Sequence, residues 1–305
     1  MPAITIRQMS TDRAQKIEAA IRRRAAWKDA DSNAWRLVDG SGDGLPGIWL
    51  DDFAGRWLLS TDAPKLLLDP SLGFRSLYHK VLRKSEREAP AFFAGEPITS
   101  RFEIVEDKIR YWIDFQTGYS QGLFLDQRSN RARVRSLAPG NSILNTFAYT
   151  CGFGVAAAFG GAQTVNVDLS RHFLAWGSSN YELNQIDPDQ HEFYADDVFD
   201  RLRFFTRKQR AFDLVILDPP TFSRNRDGKI FRAADHFGQL VSAGLGCVKP
   251  GGRLLCCNNS HQLSAPAFRG QIQQGLAGRV ARINASEPPP DFPGSTHLKT
   301  FWIEL

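Results

Sequence analysis

The sequence lacks several features that would assign a 305-residue chain to a special class. It has no run of 18 apolar residues, so we expect no membrane-spanning helix. The first eight residues hold no apolar core of the kind found in secretory signals. The four cysteines, Cys151, Cys247, Cys256 and Cys257, show no C-x-x-C spacing. We therefore expect a cytoplasmic protein without disulfides and without a metal site.

Charge of neither sign is scarce, but the basic residues are unevenly placed. The chain has 38 Lys and Arg residues against 33 Asp and Glu residues, a formal net charge of +5. Basic stripes without many acids favour a phosphate backbone as partner, although solvated helix faces give the same pattern. The stripes comprise Arg22, Arg23 and Arg24; Arg128, Arg131, Arg133 and Arg135; and Arg201, Arg203, Arg207, Lys208 and Arg210.

From residue 142 onward, apolar runs alternate with helical patterns. We predict strands at 142–147, 164–168, 191–195, 212–218, 252–258, 279–286 and 298–304, and helices at 153–160, 171–184, 197–208, 232–246 and 264–276. The linker from Glu287 to Gly294 is too short for a crossover helix, so the last strand should run antiparallel. This pattern predicts an α/β fold with a seven-stranded, mostly parallel sheet.

The residues before this region suggest a small α+β domain. A helix is predicted at 12–28, a hairpin within 36–60, a second helix around 70–87 and a strand within 102–114. We place the boundary between a 1–117 domain and a 118–305 domain.

Acidic residues and a glycine-bearing turn follow the predicted parallel strands. The turn from Thr150 to Gly154 lacks a full G-x-G-x-x-G, so a cofactor without phosphates fits better. Asp168 closes the second strand, where an acid can accept hydrogen bonds from a ribose diol. Asp197, or Asp196 as the alternate, closes the third and can meet an adenine amine. For Asp168 and Asp197 the competing interpretation is a helix cap, although Ser170 can fill that role in place of Asp168.

The run Asp218-Pro-Pro-Thr-Phe222 follows the fourth strand. Two prolines remove backbone donors and stiffen this turn. One carboxylate and one aromatic ring can then hold a flat substrate by its edge and face.

With these residues the chain resembles the class I S-adenosylmethionine-dependent methyltransferases. More narrowly, it is similar to bacterial 23S ribosomal RNA methyltransferases of the cytosine-C5 and guanine-N7 branches. The matching segments are Gly122 to Arg128, Leu144 to Thr150, Gly160 to Ala162, Val167 to Ser170, Asn180 to Asn184 and Asp218 to Phe222, and Arg36 to Gly47 matches a small central domain of the cytosine branch.

The resemblance implies S-adenosyl-L-methionine as cofactor and ribosomal RNA as partner, and it leaves the oligomeric state open, a dimer included. A family glycine is Cys151 here, and the RNA-binding domain that usually begins the cytosine branch has no room in this chain. The implied cofactor residues are Phe124, Asp126, Arg128, Asn145, Phe147, Tyr149, Thr150, Gly152, Asp168, Leu169, Asp196, Asp197 and Asp218. The implied base-holding residues are Asp218, Pro219, Pro220 and Phe222.

The target base stays open because two signatures coexist. Cys257 aligns with the nucleophile of the cytosine branch, where methylation at C5 requires a thiolate. Asn258 and Asn259 match the guanine branch, whose N7 is already nucleophilic. Cys257 can equally be a small buried hydrophobe. His261 can act as a base or lower the pKa of the thiol, and the competing interpretation is a histidine that only hydrogen-bonds the backbone.

Two other functions compete with RNA methylation. One is methylation of a small molecule or a protein, which the basic stripes disfavour. The other is a non-catalytic RNA-binding module, which the complete set of acidic strand ends disfavours and Cys151 keeps open.

Overall fold

The computed structural model describes residues 11–62, 68, 72–82, 88–118, 120–224, 228, 230–294 and 297–305. Contacts between Cα atoms divide the chain into two units. The first comprises residues 1–128 with 288–295, and the second comprises 129–287 with 296–305. The expected boundary after residue 117 lies eleven residues before the first of these divisions.

Besides two short 3₁₀ helices, Gly40–Asp43 and Leu125–Gln127, the described part of the first unit contains one α-helix and seven strands. They are α1 (Thr11–Ala25), β1 (Ala34–Asp39), β2 (Ile48–Phe53), β3 (Arg56–Thr61), β4 (Ser76–Val81), β5 (Ala91–Gly95), β6 (Phe102–Glu106) and β7 (Ile109–Ile113). Strands β1 to β5 form one sheet in chain order, and β6 pairs with β7. Ile17 and Ala20 of α1 join a core with Trp35, Leu50 and Trp57.

Two expectations for this unit need correction. The helix predicted around 70–87 is wrong where the structure describes it, because β4 pairs there with β3 and β5. These ladders engage the backbone on both sides, and tertiary pairing overrides local propensity. The strand predicted within 102–114 is two strands, because Asp107 and Lys108 adopt positive φ angles and reverse the chain.

The segment 288–295 is held in the first unit by the buried carboxylate of Asp291. One oxygen accepts from the Arg36 backbone N–H at 2.9 Å and the other from the Arg128 guanidinium at 3.0 Å. The Asp291 carbonyl accepts from the buried Arg24 side chain at 3.0 Å. Pairing of this kind satisfies charges that would otherwise be costly to bury.

The remaining α-helices and strands lie in the described part of the second unit, except that Arg128, the first residue of the helix that opens it, belongs to the first unit. They are α2 (Arg128–Ser136), β8 (Ser142–Thr146), α3 (Gly152–Phe159), β9 (Gln163–Asp168), α4 (Arg171–Leu183), β10 (Glu192–Ala195), α5 (Val198–Arg207), β11 (Phe212–Leu217), β12 (Phe222–Arg224), β13 (Ile230–Arg232), α6 (Ala233–Leu245), β14 (Val248–Asn258), α7 (Ala265–Leu276), β15 (Arg282–Ser286) and β16 (Lys299–Glu304). The predicted strands and helices of this region are confirmed to within a few residues at each end.

The main sheet has the strand order β10-β9-β8-β11-β14-β16-β15. The first five strands are mutually parallel, and β16 runs antiparallel to both β14 and β15. The predicted seven-stranded sheet with an antiparallel last strand is therefore confirmed. Chain order reverses between β8 and β11, and ligands of open α/β sheets bind beyond the carboxyl ends at such a point.

The central strands are apolar on both faces because each face is covered. In β11, Leu214 and Ile216 pack into one cluster of buried residues, and Val215 and Leu217 pack into the other. No helix in the described part of the chain is both long and apolar enough to cross a membrane.

Candidate cofactor and base site

The turn after β8 has an unusual backbone. Phe147, Tyr149 and Cys151 adopt φ angles of 52°, 49° and 60°. Bulky residues rarely adopt this left-handed conformation, which typically costs about 1–3 kcal/mol per residue and clusters at functional sites. The strained turn leads directly into α3, and Cys151 is the N-cap residue of that helix.

Asp168, at the end of β9, holds this turn in place. One carboxylate oxygen accepts from the Tyr149 N–H at 2.9 Å and the other from the Ser170 N–H at 2.8 Å. The cap of α4 is instead Ser170, whose hydroxyl accepts from the Phe173 N–H at 3.2 Å. Because each carboxylate oxygen has a second lone pair, Asp168 can still accept from a diol.

Burial also alters the ionisation of Asp168. Desolvation raises the pKa of its carboxyl above the usual 3.8, and the hydrogen bonds from Ser170 and Tyr149 oppose that rise. A carboxylate that has lost solvation and accepts only two hydrogen bonds is well suited to accept further hydrogen bonds from a ligand.

Cys151 fits into the turn because α4 provides a glycine opposite it. A Cβ atom on Gly177 would lie 2.3 Å from the Cys151 Sγ, so no larger residue fits there without movement. Burial, and secondarily the charge of Asp168, raises the pKa of the Cys151 thiol well above its usual value. Gly177 therefore leaves the space that the Cys151 side chain occupies, and the raised pKa favours the neutral thiol.

Asn145 lies at the start of a buried hydrogen-bond chain beneath the turn. Its amide donates to the Asn166 Oδ1 at 3.0 Å, and the Asn166 amide donates to the Tyr181 hydroxyl at 3.0 Å. The Tyr181 hydroxyl is 2.7 Å from the Thr164 Oγ1, which lies 3.0 Å from the His191 Nδ1. These contacts fix the amide of Asn145, and sequence reasoning missed all of its partners.

A cleft of about 240 Å³ opens beside the turn. The structure brings together here three predicted cofactor residues, namely Phe147, Leu169 and Asp197. The other lining residues were not predicted as cofactor residues: Val198, Phe199, Asp200, Arg203, Ser223, Ile230, Phe231, His236 and Gln239. The amphipathic pattern of α5 could have indicated that Val198 is buried, because Val198, Leu202 and Phe205 lie on one face of that helix. Apolar walls with a few polar groups are typical of small-molecule sites.

The two candidate adenine-binding acids have local partners. Asp197 caps α5, accepting from the Asp200 N–H at 3.1 Å, so the helix-cap interpretation holds for it. Asp196 accepts from the Asp197 N–H and pairs with Arg201 at 2.7 Å. Asp197 lines the cleft and Asp196 is not among its lining residues, so Asp197 is the better candidate.

The turn from Asp218 to Pro220 lies at the end of β11, and β12 follows it. Pro219 is buried, and Asp218 and Pro220 are half-buried. Phe222 begins β12 and is 50% exposed. The exposed ring of Phe222 therefore lies four residues after Asp218, the carboxylate at the end of β11.

At the end of β14, Cys257 and Asn258 point to opposite faces of the sheet. Cys257 is fully buried in an apolar cluster with Phe153 and Trp302. Asn258 is also fully buried, and its Oδ1 accepts from the Ser260 N–H at 2.8 Å. Its Nδ2 has no hydrogen-bond partner in the described part of the chain.

The predicted segment Phe124 to Arg128 belongs to the first unit. Phe124 is 45% exposed, and Asp126 lies in a short 3₁₀ turn. The Arg128 guanidinium donates to Asp291 and to the Ala34 carbonyl. These contacts occupy Arg128, and its role toward a cofactor stays a prediction.

Most of the predicted basic stripes are neutralised in the structure. Arg201 pairs with Asp196, Arg203 with Asp200 and Arg210 with Glu192. Of the residues in the 201–210 stripe, Arg207 and Lys208 are exposed and have no ion pair within the described residues.

Sheet order, the strained turn and the acidic strand ends define the chain as a class I methyltransferase fold. The sequence profile of the S-adenosylmethionine-dependent methyltransferases matches residues 64–300, and the chain belongs to this family. It is therefore an enzyme that uses S-adenosylmethionine. Of the expected cofactor residues, Phe147, Leu169 and Asp197 line the cleft, and Asp168 lies next to Leu169 without lining it.

Relatives and solved structures agree with this assignment. Bacillus subtilis (strain 168) YwbD, provisionally named a ribosomal RNA large subunit methyltransferase, is 32% identical over 94% of this chain and 78% of its own. Ribosomal RNA large subunit methyltransferase I of Yersinia pseudotuberculosis is 33% identical over 78% of this chain. The match spans 63% of that relative's length.

Among solved structures, SMU.776, provisionally described as a methyltransferase and complexed with SAH, has a TM-score of 0.88 at 26% identity. It covers 99% of this chain and 83% of its own. A methyltransferase structure from Agrobacterium tumefaciens has a TM-score of 0.73 at 16% identity, covering 91% of this chain and 90% of its own, and shares the fold.

Proposed function

We propose that this enzyme methylates a base of large-subunit ribosomal RNA, and that the target atom is N7 of a guanine. The names of the relatives in Bacillus and Yersinia support ribosomal RNA as the substrate. The cofactor supplies an electrophilic methyl group on a sulfonium sulfur. The protein has to bind that cofactor, hold one base beside the methyl group and exclude water.

Cofactor binding is assigned to the β8, β9 and β10 ends of the sheet. Asp168 accepts from the ribose hydroxyls, Asp197 accepts from the adenine amine, and Phe147 and Leu169 form apolar walls. The buried chain beneath the turn keeps Asn145 fixed. The strained backbone of residues 147–152 contributes its polar groups to the rest of the cofactor.

The orientation of the Asn258 amide carries the choice of guanine. Its Oδ1 is already engaged by the Ser260 N–H, so the group left for a ligand is the Nδ2 donor. Beside N7, guanine presents the O6 acceptor, whereas cytosine presents an amino donor beside C5. A fixed donor therefore matches guanine and leaves the cytosine amine without an acceptor.

The position of Cys257 supports the same choice. Attack on C6 of cytosine needs a thiolate that reaches the base, and the Cys257 side chain is packed in an apolar cluster on the sheet face opposite to that of Asn258. The Thr300 hydroxyl, 3.9 Å from the Cys257 Sγ, adds a neutral polar contact.

We assign base holding to the turn after β11. The exposed ring of Phe222 stacks on a base that has been rotated out of the RNA, and Asp218, Pro219 and Pro220 hold its edge. Exposed Asn259, next to Asn258, is a second candidate for contact with the guanine edge.

Nucleoside mass spectrometry of 23S ribosomal RNA from a deletion strain tests the proposal. We expect loss of one 7-methylguanosine, restored by the wild-type gene and not by an Asp168→Ala gene. Loss of a 5-methylcytidine would show that the target base is cytosine and not guanine. Unchanged ribosomal RNA would show that ribosomal RNA is not the substrate.

A further inference from the structure

Lys299, the first residue of β16, is a buried ammonium group with few partners. Its side chain is 8% exposed, and its Nζ donates to the Ser260 carbonyl at 2.5 Å. No carboxylate pairs with it among the residues that the structure describes. A buried charge without a counter-ion is costly, and an ammonium has three donors to satisfy.

Two histidines extend this cluster toward solvent. His261 is exposed, and its ring centroid lies 5.5 Å from that of His297. Burial lowers the pKa of His261, and the charges of His297 and Lys299 lower it further. His261 thus lies close enough to His297 and Lys299 for their charges to act on it, and an anion bound here would offset that repulsion.

The cluster lies at the ligand-binding edge of the sheet. Lys299 is directly opposite Asn258 in the β14–β16 ladder, so the two side chains share a face. β14 is also the neighbour of β11, whose end carries Asp218. Two strand spacings separate β11 from β16, which is about 10 Å.

We propose that Lys299, His261 and His297 bind a backbone phosphate of the RNA substrate, next to the target base. The inference rests on the function proposed above and names a contact of the same site. A nucleotide whose base lies at Asp218 and Asn258 places a neighbouring phosphodiester within reach of Lys299. That phosphate supplies the missing counter-ion.

A purely structural role makes a different prediction. If Lys299 serves only to hold the Ser260 carbonyl, its replacement destabilises the fold and leaves anion binding unchanged. If it binds phosphate, Lys299→Gln folds normally because an unpaired buried charge has been removed, and phosphate binding is lost.

The first experiment uses inorganic phosphate and thermal unfolding at constant ionic strength. We expect phosphate to raise the Tm of the wild type and to lose this effect in Lys299→Gln, with recovery in Lys299→Arg. Lys249→Gln is the matched control, because Lys249 lies on β14 near its amino end and pairs with Asp213. An equal phosphate shift in wild type and Lys299→Gln overturns the proposal.

The second experiment measures binding of a ribosomal RNA fragment as salt increases. Lys299→Gln should weaken binding roughly tenfold and reduce the log–log salt slope by about 0.7, and His261→Gln should act in the same direction. Wild-type RNA affinity in Lys299→Gln would overturn the phosphate contact and leave RNA as substrate. No RNA binding by the wild type would instead remove RNA as the source of the phosphate.

Titration with S-adenosylhomocysteine tests whether the anion bound by Lys299 is the carboxylate of the cofactor and not an RNA phosphate. We expect equal affinity in wild type and Lys299→Gln. A selective loss in the variant would assign the anion to the cofactor's carboxylate and overturn the proposal.

Discussion

At the scale of single residues, Asp168 combines two tasks. It anchors the strained turn through the Tyr149 N–H and keeps lone pairs for a diol. Asp168→Ala should weaken S-adenosylhomocysteine binding at least tenfold, because hydrogen bonds to a charged group contribute about 1.5–3 kcal/mol. Calorimetry measures this, with the exposed Asp189→Ala as control. Unchanged affinity in a folded Asp168→Ala protein would refute the ribose assignment.

The raised pKa of Asp168 predicts a pH dependence of cofactor binding. Only the ionised carboxylate accepts from both diol hydroxyls, so affinity should be full at neutral pH and fall as pH decreases through the raised pKa. Desolvation therefore makes the decline begin above the usual 3.8. Calorimetry across pH should show this decline in the wild type. If Asp168→Asn shows the same fall in affinity, a titrating group other than Asp168 causes it.

Cys257 distinguishes the two base chemistries. For guanine N7, Cys257→Ala should retain turnover and lose about 1 kcal/mol of stability from the small cavity left in the core. Methyl transfer to ribosomal RNA and urea unfolding measure the two effects. Abolished turnover with intact cofactor binding, or a covalent adduct with RNA containing 5-fluorocytidine, would establish the cytosine mechanism.

At the scale of elements, the turn after β8 and helix α4 pack so closely that the side chains at positions 151 and 177 limit each other's size. Gly177→Ala should destabilise the fold by about 1–3 kcal/mol, because its Cβ would overlap the Cys151 Sγ. In a Cys151→Gly background the same change should be neutral or stabilising by up to about 1 kcal/mol, since alanine favours helices. Urea unfolding of the four proteins in this double-mutant cycle measures the coupling.

Gly270 provides the matched control for this cycle. It lies within α7, and no atom lies within 4 Å of an added Cβ. Gly270→Ala should therefore stabilise the protein in both backgrounds. An additive cycle for Gly177 and Cys151 would show that the two residues do not limit one another.

At the scale of the whole molecule, ion pairing changes what the net charge implies. Six arginines at 128, 131, 133, 201, 203 and 207 would give a log–log salt slope of about −4 on single-stranded RNA. Several of them are paired with acids, so we expect a shallower slope. Arg207→Gln with Lys208→Gln should reduce it further, and Arg201→Gln should change it little. A wild-type slope near −4 would show that the ion pairs open on binding.

The sequence alone predicts the second unit well, because its signals are local. Alternating buried strands and amphipathic helices, the short linker before the last strand and the acidic strand ends together determined the seven-stranded sheet and pointed to the cofactor. Ser170 and Asp197 show the limit of such signals. Both residues precede helices, and the contacts confirm Ser170 as the cap of α4 and show that Asp197 caps α5.

Only the tertiary structure decided features that depend on residues distant in the chain. Strand β4 exists because two neighbours pair with it, where the local pattern favoured a helix. Gly177 makes room for Cys151 across 26 positions, and Lys299 meets the Ser260 carbonyl across 39. Burial of Cys257 and the fixed amide of Asn258 follow from sheet packing in the same way. A sequence pattern records the preferences of a residue, whereas its partners and its loss of solvent are properties of the assembled fold.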